Sequence, residues 1–184
     1  MKTSYPILLF VAFIWVSCAP SLTSLAETNP QKVVAVQDSL LSANPNDKII
    51  KIALVTAHLN IAQSSKSPEN SYRNALNLDP NNVEAIYHLS MIEGHQLFKK
   101  GDESSLWESL ESYAHSAALI DSLGEAFYWM GRVYEKKDNQ DFELIIESYQ
   151  KAISRELSHR LRKEAMQHLS RTKSREKTYK DFWK

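Results

Sequence analysis

The chain has 184 residues, with 22 Lys/Arg balancing 22 Asp/Glu, so its formal net charge is zero. Four glycines and six prolines leave little room for a β-sandwich full of tight turns, and the lone cysteine, Cys18, excludes an intramolecular disulfide framework or a cysteine-rich metal site. The charge is unevenly spread: residues 1–150 hold 11 Lys/Arg against 18 Asp/Glu, and residues 151–184 hold 11 against 4, an acidic body with a basic tail.

In chain order, the first feature is an apolar run, Ile7–Val16, that follows Lys2 and ends just before Cys18. Its ten residues are too short to span a bilayer but suit the apolar core of a signal peptide. Trp15-Val16-Ser17-Cys18 resembles a bacterial lipobox, although Trp15 stands where an aliphatic residue is usual. The resemblance implies lipidation of Cys18, a signal peptide over 1–18, and export to the cell envelope. The protein would be lipid-anchored and face the periplasm, with the outer membrane as one destination. The alternative is an ordinary secretory signal cut elsewhere, for example after Ser24-Leu25-Ala26. Residues 19–30 are rich in Ser, Thr, Pro and Asn without periodicity, and read as a flexible tether.

The folded part is expected over 31–178. A short amphipathic helix over Gln31–Ala43 ends at Asn44-Pro45-Asn46-Asp47, and that tetrapeptide recurs as Asp79-Pro80-Asn81-Asn82. Between them, Lys48–Gln63 predicts one helix, and Ser67-Pro68-Glu69 opens a second that carries Tyr72 and Ala75. Beyond Asn82 a helix through Ile86 and Leu89 breaks at Lys100-Gly101-Asp102, and another follows over Ser104–Leu119. The clearest pattern is Gly124–Ile153. Ala126, Phe127, Met130, Gly131 and Tyr134 repeat at helical spacing, a polar break follows at Lys136–Asp141, and Phe142, Ile145, Ile146, Tyr149 and Ala152 do the same. A glycine inside the first of these helices costs about 1 kcal/mol against alanine. It is explained if the second helix packs on it at close range.

This pattern resembles a tetratricopeptide (TPR) repeat, with Phe127, Met130, Gly131, Tyr134, Ile145, Tyr149 and Ala152 on the signature positions. The prolines Pro45 and Pro80 lie one repeat apart, near the family period of about 34 residues. The resemblance implies an all-α, right-handed superhelix of antiparallel hairpins. Its parts would be about three repeats over 47–80, 82–121 and 124–157, a capping helix over 158–178 and a loose tail over 179–184. In the second repeat, Ile86, Leu89 and Ser90 take the W, L and G positions. The resemblance also implies a concave groove lined by the first helix of each hairpin. Its partner-binding residues would be Tyr87, Met91 and His95 from repeat two, and Tyr128, Arg132 and Lys136 from repeat three. The competing reading of Tyr87 and Tyr128 is simple packing between repeats.

No catalytic arrangement stands out. His88 and His95 lie seven residues apart, without the third ligand or the i, i+4 pair that zinc requires. Glu108/Glu111 and Glu143/Glu147 read as solvated helix faces. The expectation is therefore a non-enzymatic protein with no cofactor and no metal. It would be a scaffold or adaptor of the bacterial envelope that grips a protein or peptide segment, with a homo-oligomer as a further option. The rival is a structural accessory subunit of an envelope enzyme or of a secretion complex. The basic stretch Arg160–Lys177 reads as the soluble face of a cap, or as a surface for anionic lipid or an acidic partner. A nucleic-acid role conflicts with export and lacks interleaved aromatics.

Overall fold

The computed structural model describes residues 20–183. Cys18 and the expected signal peptide over 1–18 lie outside them. The described chain is all-helical: α1 (Leu22–Thr28), α2 (Pro30–Ala35), α3 (Gln37–Ala43), α4 (Lys48–Ser64), α5 (Glu69–Leu78), α6 (Val83–Lys100), α7 (Glu103–Leu119), α8 (Glu125–Lys137), α9 (Phe142–Ile153) and α10 (His159–Phe182).

The helix starts follow from capping. Asp47 accepts from the Ile49 and Ile50 amides at 2.7 and 3.1 Å, Asn82 from Ala85 at 3.0 Å and Asp102 from Ser105 at 2.9 Å. Each side chain satisfies amide donors that an α-helix leaves open at its first turn. Gly101 ends α6 in the left-handed region, φ +79°, a conformation that costs a glycine least.

Short links join α4 to α5, α6 to α7, and α8 to α9, so each pair is a helical hairpin. Each helix from α4 to α9 also packs on its successor, and α10 closes the series against α9 and α8. Three apolar clusters run through this stack. One lies between α1, α2 and α4, one between α4, α5 and α6, and the largest extends from α6 to α10. Helices α4 and α6 are thus shared walls.

Two glycines inside helices allow close crossings. A Cβ at Gly131 would fall 2.9 Å from Tyr149 Cε1, and one at Gly94 only 2.6 Å from Tyr113 Cε1. In the second hairpin this contact is made by Gly94, one helical turn beyond the Ser90 that the resemblance puts in that role. Helix α6 is 18 residues long, so its closest approach to α7 lies further along it.

Three expectations are corrected. The stretch 19–30 is not a tether throughout: it contains α1, whose Ala26 is fully buried and whose Ala26 carbonyl accepts from Asn60 Nδ2 at 3.1 Å. Its physical basis is the spacing Leu22, Leu25, Ala26, which gives an apolar face that packs on α4. The tail over 179–184 is helical as far as Phe182, because Tyr179 still finds the Phe142 ring at 5.8 Å. The expected single helix over 31–43 is two, α2 and α3, meeting at Val36.

The start of α10 is held by the loop before α8. Gly124 donates its amide to the Glu156 carbonyl at 2.7 Å, and Glu156 donates to Ser122 at 3.0 Å. Arg155 pairs with Asp121 at 2.8 Å and lies 4.4 Å over the Phe127 ring. Arg162 donates to the carbonyls of Ile153 and Arg155, which satisfies the open end of α9.

Candidate partner-binding surface

Three of the six residues expected to face a groove are core residues. Tyr87, Met91 and Tyr128 are 2, 4 and 1% exposed, within the α6–α10 cluster. A side chain so covered is not available to a partner, and the expectation for these three is corrected. Aromatics at this helical spacing pack against the next hairpin, because that burial removes far more apolar surface than a groove would.

The remaining three sit at the edges of the same packing. His95 Nδ1 lies 2.7 Å from Tyr113 Oη, and the ring meets Trp129 edge-on at 4.7 Å; burial holds its pKa below 6.5. Arg132 donates to Tyr128 Oη at 3.2 Å. Lys136 donates to the Phe98 carbonyl at 2.9 Å and stands 4.6 Å over the Phe98 ring. The hub of this region is Trp129, which touches the rings of His95, Phe98, Tyr113 and Tyr128. Sequence reasoning passed over Trp129, since its place beside Tyr128 puts it off the helix's apolar stripe.

Helices α8, α9 and α10 are clasped by a polar network. Glu135 Oε2 accepts from Tyr149 Oη at 2.9 Å and lies 2.8 Å from His168 Nδ1, while Oε1 takes Thr172 Oγ1 at 3.3 Å. Burial alone would raise the Glu135 pKa, but the bonds from His168, Tyr149 and Thr172 hold it below the usual carboxylate value. Beside it, Tyr128 Oη donates to Glu164 at 2.8 Å, and His168 stacks on Tyr149 at 5.3 Å. Its donors and acceptors are matched within the fold, and its role is to fix α10.

An apolar surface is left open on α4. This helix meets α1, α2, α3 and α5, yet Ile49 and Ile52 remain 63 and 60% exposed. Ile52 borders a groove of about 430 Å³ whose floor includes Val55, Leu59 and Leu78, with Lys48, Lys51 and Asp79 at its rim. Val83, 46% exposed, follows Asn82 at its far edge. The signal was present in the sequence: α4 carries apolar residues around its whole circumference, more than one packing face can cover. Asn60, further along the same helix, is committed to the end of α1 through the Ala26 carbonyl.

The scattered histidines have structural surroundings. His58 Nε2 lies 2.7 Å from Gln37 Oε1, which ties α3 to α4, and His88 stacks on Tyr72 at 4.8 Å. Burial lowers the pKa of both, with the Glu84 carboxylate partly offsetting this at His88. Of the carboxylate pairs, Glu147 is engaged by Lys151 at 2.7 Å and Glu108 accepts from Ser104 at 3.0 Å. Among the described residues no group of three or more His, Cys, Asp or Glu could hold a metal ion. Compared with known proteins, the chain matches no family model and no curated protein.

Proposed function

We propose that this chain is a non-enzymatic adaptor of a bacterial cell envelope, exported and lipid-anchored through Cys18, with a TPR-like superhelical array that binds a segment of another protein. The observation that carries the reading is the open apolar face of α4. Ile49 and Ile52 stand exposed beside a groove floored by Val55, Leu59 and Leu78. An exposed apolar patch beside a groove of this kind marks an interaction site. Its chemistry suits apolar side chains presented by an extended or helical segment, with Lys48 and Lys51 at the rim favouring acidic flanks. The array supports the reading in a second way. Close-packed hairpins hold the groove rigid, so the ordering cost of binding falls on the ligand. The glycine–tyrosine crossings at Gly94/Tyr113 and Gly131/Tyr149 are what a repeated hairpin unit would contain.

The reading is tested by co-purification from envelope fractions. An Ile49→Asp/Ile52→Asp chain should keep its helical circular dichroism and lose the partner that the unaltered chain retains. Retention of the same partner by both chains removes α4 from the account. The anchor is tested separately by intact mass and fractionation beside Cys18→Ser. A lipid-bearing, membrane-bound chain that becomes soluble on substitution supports the anchor, and a soluble unaltered chain refutes it.

A further inference from the structure

Helix α10 has 24 residues where its neighbour α9 has 12. Near its end Phe182 lines a pocket with Asn139, Gln140 and Phe142, the start of α9, and Tyr179 meets the Phe142 ring at 5.8 Å. Beyond it, Phe182 and Trp183 are 78 and 70% exposed, their rings 5.3 Å apart. Tyr179 also touches Trp183, at 6.1 Å, so the three rings form one cluster at the tip.

Behind the tip stand Lys173 and Lys177, exposed and without an ion pair among the described residues. Of the carboxylates near them, Glu176 takes Lys180 at 2.6 Å, Glu135 faces His168 and Arg175, and Asp181, one turn beyond Lys177, also has a partner. Trp183 is six residues beyond Lys177, an axial rise of about 9 Å. That matches the depth of about 5–10 Å to which apolar side chains enter the headgroup and acyl boundary. Aromatic rings at the tip with lysines one or two turns behind is the composition of a helix end seated at an anionic bilayer. An acidic protein surface would engage the lysines but leave three large rings in water. No described helix is long and apolar enough to cross a membrane.

We propose that the C-terminal tip of α10 docks on an anionic lipid surface, with Tyr179, Phe182 and Trp183 in the interfacial layer and Lys173 and Lys177 at the headgroups. This contact is separate from the α4 groove and does not depend on it.

The test is sedimentation of the full chain carrying Cys18→Ser, so that no N-terminal lipid contributes, with neutral phosphatidylcholine vesicles and with vesicles that also contain phosphatidylglycerol. Trp183 emission is followed as the difference between the chain and Trp183→Phe. The expected result is at least tenfold tighter binding to the anionic vesicles, a blue shift of the Trp183 component, and loss of the preference in high salt. Lys173→Gln/Lys177→Gln should weaken anionic binding by about fivefold per lysine and leave neutral binding unchanged. Phe182→Ser/Trp183→Ser should abolish the tighter binding. All four side chains are exposed, so helical circular dichroism should stay constant. Equal binding to both vesicle types, or binding that neither double variant changes, overturns the proposal. So does binding to soluble polyglutamate with no preference for anionic vesicles.

Discussion

Gly131 and Tyr149 are in contact across the α8–α9 crossing, with no room for a methyl group between them: a Cβ would stand 2.9 Å from the tyrosine ring. The ring cannot retreat, because Tyr149 is fully buried and its hydroxyl is bonded to Glu135.

Gly131→Ala therefore sets two effects against each other. Alanine favours the helix by about 1 kcal/mol, while overpacking a rigid core costs about 1–3 kcal/mol. Overpacking wins, and the variant is expected to lose about 1 kcal/mol. Gly94→Ala meets a tighter contact, 2.6 Å to Tyr113, and should lose more. Urea unfolding midpoints check both; a gain in stability from either would mean the helices are not so closely apposed.

A second prediction concerns the clasp on α10. Glu135→Ala strips Tyr149, His168 and Thr172 of their shared acceptor, and the buried tyrosine hydroxyl is left unsatisfied. The expected loss is about 2–3 kcal/mol. Amide hydrogen exchange should accelerate along α10 before it does in α6 or α7. Uniform acceleration across the chain would show that α10 is held by apolar packing alone.

How far the sequence reveals this structure depends on what a periodic pattern can carry. The hairpins were legible because their ends are written locally, in Asp47, Asn82 and Gly101, and α8 and α9 because their apolar spacing is regular. Which face an aromatic turns toward was not. Tyr87 and Tyr128 stand at positions that serve equally for groove or core, and only the placement of the next hairpin decides. The choice of Gly94 over Ser90 depends on the length of α6. Helix α1 was hidden by its Ser and Thr content, although Leu22, Leu25 and Ala26 already have helical spacing. For the candidate site, the excess of apolar residues on α4 was readable, but the identity of the uncovered ones, Ile49 and Ile52, required the positions of α1, α2 and α5.

A third prediction follows from the buried histidines. His58, His88 and His95 titrate below 6.5 in the folded chain because burial disfavours the imidazolium. The unfolded chain binds these protons more readily, so their contribution is fully present above pH 6.5 and is lost as pH falls through 6.5 toward the folded values. Glu135 acts in the same sense further down: its depressed pKa gives stability that is present above 4.5 and lost as pH falls through the folded value. Urea midpoints should be flat from pH 8 to 7 and decline below 6.5, and His58→Gln or His95→Gln should make the decline shallower. A midpoint that does not move between pH 7 and 5.5 contradicts this account.

The central claim is that α4 presents its open apolar face to a protein partner. The most direct measurement places a photo-reactive side chain at Lys51, on the rim of that groove, and irradiates cells that make the chain. A second chain labelled at the exposed Glu111 of α7 is irradiated beside it. The account predicts a discrete protein adduct from position 51 and none from position 111, with the adduct lost when Ile52→Asp is added and the circular dichroism unchanged. The same adducts from both positions, or an adduct at 51 that Ile52→Asp leaves intact, would contradict it.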